Sequence, residues 1–235
     1  MIEFRPLASS SNGNCYYVSD GKTTLLLELG VKFKEIQKAL RFKVSSVDAA
    51  LVSHSHADHS KSVRDAMKAG IDVYASSGTF SALDVGGHRA HAIKSKRDFL
   101  IGSWRVLPFD VEHDADEPLG FLLTNKLDER LVFITDSYYC RYRFNGLNVV
   151  ALEANYSLPI LDDNIASGRV PHSLRGRLLR SHMSLETAKE FLQANDLSRV
   201  QEIHLMHLSD TNSDEELFKR EIQKVAGVPV YVARR

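Results

Sequence analysis

Residues 54–59 read His-Ser-His-Ala-Asp-His, three imidazoles and one carboxylate in six consecutive positions. Imidazole nitrogen with carboxylate oxygen is a donor set for Zn²⁺, Mn²⁺ or Fe²⁺, whereas Ca²⁺ and Mg²⁺ take mostly oxygen. In an extended segment, residues two apart face the same side, so His54 and His56 can clamp one ion. A helix starting near residue 58 would turn Asp58 and His59 toward a neighbouring point, so that one strand end serves two adjacent ions. The plain alternative, a polar helix start that happens to be rich in histidine, requires a chance HxHxDH directly behind an apolar run.

The elements that must position this cluster are legible in outline. Strand patterns fall at residues 2–7, 15–19 and 23–29, with turn chemistry at Ser9 to Asn14 and at Asp20-Gly21. Phe33, Ile36 and Leu40 have helical spacing. The apolar run 49–53 reads as a buried strand that ends in the histidines, and Ser60 is the expected N-cap of the helix behind it. Further strands are expected at 71–75, 104–111, 120–124, 130–135, 148–152, 202–206 and 228–232. Residues 158–181 read as loop and helix. Ser184 caps a helix with Leu185, Ala188 and Phe191 on one face, and Ser213 with Glu216 forms a capping box for the last helix. Strands and helices interleave in two similar halves, which predicts an α/β fold of two stacked sheets covered by helices, in a single domain over 1–235.

Composition narrows the class. The chain has 235 residues, with 30 Lys plus Arg balancing 30 Asp plus Glu. A zero net charge excludes a protein that coats nucleic acid by overall basicity, and leaves room for a local basic groove. Cys15 and Cys140 form neither a CxxC pair nor a disulfide framework, which suits a reducing compartment. The N-terminus lacks a signal-like pattern and no apolar run is long enough to span a bilayer, so a cytoplasmic protein without membrane contact is expected. Oligomeric state is open, a homodimer included.

HSHADH, read as HxHxDH, resembles the signature of the metallo-β-lactamase superfamily, and further motifs follow in that family's order. Val111-Glu112-His113-Asp114 resembles its third motif, Phe133-Ile134-Thr135-Asp136 its fourth, and His207 in Leu205-Met206-His207-Leu208-Ser209 its fifth. The resemblance implies a four-layer αββα sandwich with two divalent ions, zinc or manganese, at one edge of the sheets. It implies His54, His56 and His113 as ligands of one ion, Asp58, His59 and His207 of the other, and Asp136 bridging both. Asp58 and Asp136 are thereby also catalytic candidates, through water activated at neutral pH. One position departs from the family: Glu28-Leu29-Gly30 stands where members usually carry Asp, and Glu28 is expected to orient a ligand through its longer arm.

The fold alone does not choose a reaction. His56 stands where flavin-partnered di-iron members generally have Glu, which argues against redox work. Ser181-His182-Met183-Ser184 resembles the extra histidine motif of the nuclease branches. His182 is therefore the candidate to stabilise or protonate the leaving oxygen, supported by Glu153 in Glu153-Ala154-Asn155. Ser184 and Asn155, with Arg175 and Arg177, are the candidates for phosphate binding. Across nearly the whole chain, SSSNGN, FDVEHDADEPLGF, LEANYS, SHMSLETA and LMHLSDTNSD are most similar to a small bacterial and phage branch that includes 5′-to-3′ DNA exonucleases. The resemblance thus implies a phosphodiesterase with a nucleic acid or nucleotide substrate. A cyclic-nucleotide phosphodiesterase would need the same residues, a thioester or lactone hydrolase would have no use for His182, and a binding module would not need the full ligand set.

Overall fold

The computed structural model describes residues 1–233, and contacts cluster the chain into two units. The first takes in residues 1–110 and 115–130. Its main sheet has six strands in sequence order: β1 (Glu3–Ala8), β2 (Cys15–Ser19), β3 (Thr24–Leu27), β4 (Ala49–Leu51), β5 (Asp72–Ser76) and β6 (Ala90–Ile93). β1 to β3 are antiparallel, and the sheet is parallel from β3 onward. The connectors cause the switch. Between β2 and β3 the Asp20 carboxylate accepts from the N–H groups of Lys22 and Thr23, both at 2.9 Å, closing a tight reversal. A parallel neighbour needs a crossover, and helices supply it: α1 (Phe33–Ala39), α2 (Ala57–Ser60) with α3 (Val63–Lys68), and α4 (Ser77–Leu83). Leu26, Ile36, Ala50, Val52, Ala66 and Val73 pack into one core, and β4 is buried along its whole length, as its apolar run requires. The same unit holds an antiparallel meander of β7 (Phe99–Ile101), β8 (Trp104–Asp110) and β9 (Leu119–Thr124). It is pinned where the Trp104 indole N–H donates to the Thr23 carbonyl at 3.1 Å.

The second unit, residues 111–114 and 131–233, carries a parallel series of β10 (Arg130–Ile134), β11 (Val149–Glu153), β12 (Glu202–Met206) and β13 (Val230–Val232). Between β11 and β12 run α5 (Leu158–Ala166), α6 (His172–Ser181) and α7 (Leu185–Gln193), and α8 (Glu215–Ala226) joins β12 to β13. Register decides what reaches the site. Ile134 lies opposite Leu152, and Glu153 opposite Met206, so β10, β11 and β12 end level with one another. Residues just beyond those ends meet at one edge, the carboxyl edge at which parallel sheets present ligand groups.

Two caps differ from expectation. Ser60 closes α2 instead of opening a helix: its hydroxyl donates back to the carbonyls of Ser55 and His56 at 2.8 and 2.9 Å, and a new helix starts only after Ser62. At α8 the cap is Asp214, whose carboxylate accepts from Leu217 N–H at 2.9 Å, while the Ser213 hydroxyl donates to the Ser209 carbonyl. α4, β6 and β7 have no counterpart in the pattern reading; the two strands, of four and three residues, are too brief to develop a period. No helix among the described residues is long and apolar enough to cross a membrane.

Phe133 is fully buried in β10, the strand that leads to Asp136. Phe133→Ala is expected to cost ~3–5 kcal/mol, read as a fall in the urea midpoint at unchanged slope. A loss well under ~1 kcal/mol would show that this strand does not depend on its packing.

Candidate metal centre

In the first unit the histidine cluster sits behind β4, where backbone bonds define its shape. Asn14 N–H donates to the Asp58 carbonyl, Leu29 N–H to the His59 carbonyl and Gly30 N–H to the Asn14 carbonyl, each at 2.8 Å. The segment behind β3 is thereby laced to α2. His54 is 1% exposed and His59 is buried. The His54 ring lies 4.7 Å from that of His56 and 4.3 Å from that of His59, centroid to centroid. The His59 ring stands between two carboxylates, with Nδ1 3.5 Å from Glu28 and Nε2 3.3 Å from Asp58. Glu28 adopts φ +67° immediately after β3, accepts from Ser53 N–H at 3.2 Å and is buried. Burial raises its pKa against the pull of His59 and Ser53.

In the second unit Asp136 follows β10 at φ +44° and His207 follows β12 at φ +54°. The Asp136 carboxylate lies between two imidazoles, one oxygen 3.6 Å from His113 Nε2 and the other 3.6 Å from His207 Nε2. The tautomer of His113 follows from its other nitrogen: Nδ1–H donates to the Ser181 carbonyl at 2.8 Å, which leaves Nε2 as the lone-pair atom facing Asp136. Burial lowers the His113 pKa, outweighing Asp136, and so favours the neutral ring that binds metal. Two ligand atoms each ~2.1 Å from a tetrahedral ion stand about 3.4 Å apart. Asp58 with His59, and Asp136 with each of its histidines, have that spacing. The nitrogen and oxygen donors present in each unit therefore fit a divalent cation.

Glu153, at the end of β11, is fully buried and organises the rest. One oxygen takes the His182 Nδ1–H at 2.7 Å; the other accepts from Ser137 N–H at 2.9 Å and Met183 N–H at 3.1 Å. Burial would raise its pKa, but His182 and the bond to His207 hold it below the usual glutamate range. For His182, burial works against the charged form, while Glu153 and then Asp136 favour it, and the net shift is upward. The His182 ring stacks on His207 at 5.3 Å with 12° between planes. Donor atoms of Asp136, Glu153, His182 and His207 all lie within 4.8 Å of one another.

The other expected residues are placed differently from one another. Asn155 holds His207, its amide donating to the His207 carbonyl at 2.8 Å with Nδ1 of the ring at 3.0 Å. The Ser184 hydroxyl accepts from Thr187 N–H as the cap of α7 and is 4% exposed. Arg175 pairs with Asp162 at 2.9 Å, and Arg177 lies 3.9 Å from Asp114. Sequence reasoning missed Asn14 as a contact of His59, at 3.3 Å, and Ser181 and Ser137 as supports of His113 and Glu153. Asn14 lay inside the SSSNGN run, legible there as turn chemistry and as a motif of the branch, with nothing to pair it with His59.

The pattern of the family described as "Beta-lactamase superfamily domain" matches residues 29–208. Exodeoxyribonuclease YycJ of Bacillus anthracis is 29% identical over 242 residues, covering 95% of this chain and 89% of that protein. Exodeoxyribonuclease WalJ of Streptococcus pneumoniae is 32% identical over 233 residues, covering 92% of this chain and 85% of that one. Among solved structures, the metallo-beta-lactamase fold protein YhfI from Bacillus subtilis matches with TM-score 0.77 at 15% identity, over 99% of this chain and 96% of that chain. That likeness speaks to fold, and the expected α/β metallo-β-lactamase fold stands.

Gly30 tests the lacing around the first cluster. A Cβ there would run into the Asp58 carbonyl oxygen, so Gly30→Ala must push the segment around Asp58 and His59 away. Elemental analysis of the purified, folded variant should find less divalent metal per chain than in the wild type. Equal loading would mean that the segment tolerates the shift.

Proposed function

This chain belongs to the β-lactamase superfamily, and from that premise we propose that it is a metal-dependent phosphodiesterase acting on DNA as a 5′-to-3′ exonuclease. The observation that carries the reading is the His182–Glu153 pair at 2.7 Å. A lactone or thioester hydrolase has no need of such a histidine, whereas phosphodiester cleavage must support a departing oxygen. The exodeoxyribonuclease relatives, which match over most of their length, support the same choice.

By the order of the motifs, His54, His56 and His113 would hold one ion and Asp58, His59 and His207 another, with Asp136 shared; zinc or manganese suits these donors. When bound, the ions neutralise phosphate oxygens and lower the pKa of water toward ~7. Glu153 holds His182 by Nδ1, which turns Nε2 away from the carboxylate as the atom that hydrogen-bonds and protonates the leaving oxygen. The upward shift of the His182 pKa keeps that proton in place nearer neutrality. Asn155 fixes the backbone of His207 through its carbonyl. Ser181 fixes the tautomer of His113.

His182→Ala is expected to retain its metal and to lose ~10²–10⁴-fold in turnover of 5′-phosphorylated DNA. Asp136→Ala should instead lose metal, measured by elemental analysis. Metal loss from the His182 variant, or undiminished turnover, would remove His182 from the reaction.

A further inference from the structure

Directly behind Asp136 the chain reads Ser137-Tyr138-Tyr139-Cys140-Arg141-Tyr142-Arg143, three phenol rings and two guanidinium groups with no acid among them. Neither the ligand positions nor His182 accounts for this segment. Tyr138 and Tyr139 are 39% and 51% exposed. Two neighbouring rings left to solvent beside a cavity exceed the scattered single exposures of an ordinary surface. Tyr139, Tyr142 and Arg143 line a recess of about 140 Å³, and Glu190 and Phe191 of α7 form its other wall.

The loop is held in shape before anything binds. Tyr138 N–H donates to the Glu112 carbonyl at 3.1 Å, the Ser137 hydroxyl to the Tyr139 carbonyl at 2.8 Å, and Phe144 N–H to the Asn195 side chain at 2.6 Å. Both guanidinium groups are exposed and line the recess; Arg141 is paired with Glu112, and Arg143 is the second. Tyr139 is three residues from Asp136, hence no more than about 11 Å along the chain at ~3.8 Å per Cα step.

We propose that this loop and α7 form a seat for an unpaired nucleobase of the DNA strand, with the Tyr139 ring as the stacking surface and Arg143 facing the adjacent phosphate. An enzyme that degrades a strand must grip it without reading its sequence, and every base offers a π face to an aromatic ring. The Glu190 carboxylate repels a phosphate from the recess and can accept from a base N–H, including the N3–H of thymine, so the occupant is a base and the backbone passes outside, by Arg143. The proposal rests on the reading of the chain as a DNA phosphodiesterase.

The test is fluorescence anisotropy of the metal-loaded protein with a short, labelled, phosphorothioate-protected oligodeoxythymidylate and with the same strand made abasic. Tyr139→Ala should weaken binding of the base-bearing strand about tenfold, and Tyr139→Phe should restore it. The abasic strand should bind the wild type weakly and gain no further penalty from Tyr139→Ala. Equal binding of the two strands by the wild type, or the same loss with both strands in Tyr139→Ala, overturns the seat. Hydrolysis of unprotected DNA, measured on the same preparations, separates the two readings. Hydrolysis with base-blind binding removes the seat alone. Base-dependent binding without hydrolysis under any divalent metal upholds the seat and removes the exonuclease assignment.

Discussion

The second unit is organised around one buried carboxylate. Glu153 has no access to solvent; its three close donors are His182, Ser137 and Met183, and His207 Nδ1 lies farther off, at 3.5 Å. A charge so deeply placed is tolerable only when its oxygens are satisfied, and removing a donor leaves a costly unpaired group. The three donors lie on the segment after β10, in the turn between α6 and α7, and on the imidazole itself. His182 and Met183 are neighbours, so meeting the demand of one side chain ties two separate pieces of chain, the segment after β10 and the turn between α6 and α7, to the end of β11. His182 is where it is because Glu153 must be paired.

The sheets supply the second constraint. β10, β11 and β12 end level, and Asp136 and His207 leave their strands through left-handed backbone; Glu28 does the same behind β3 in the first unit. Non-glycine residues in that region each cost ~1–3 kcal/mol and persist where surrounding structure over-determines them. Here the surrounding structure includes hydrogen bonds: the Asn155 amide on the His207 carbonyl, the Thr135 hydroxyl on Asp136, and the Ser53 N–H on Glu28. At these three positions the strain falls where a carboxylate or imidazole has to be aimed, whereas other left-handed residues, among them Phe42, Asp84 and Lys96, only close turns.

Much of this was legible in the sequence because its signals are local or ordered. HSHADH announces a cluster by composition alone, and Val111–Asp114, Thr135-Asp136 and His207 gain meaning from following strands in a familiar order. Strands 15–19 and 202–206 are found with the expected limits because turn residues or the hydrophobic pattern bound them sharply. What was not legible depends on partners distant in sequence. Asn155 resembles a phosphate contact until its amide is seen on His207. Arg175 is a free cation in one dimension and Asp162's partner in three. Asn14 reaches His59 only through a backbone lattice that no periodicity encodes. Glu28 is a departure whose consequence appears only when its longer arm is found beside His59.

Glu153→Gln probes the central dependence most directly, because the amide preserves volume while removing the charge and one of the two acceptor oxygens. Turnover of 5′-phosphorylated DNA by the metal-loaded variant should fall by at least ~10²-fold while circular dichroism reports a folded chain. The amide can no longer hold the His182 proton and both backbone N–H groups at once. A folded variant that degrades DNA at the wild-type rate would contradict the role of Glu153 and the use of His182 that depends on it.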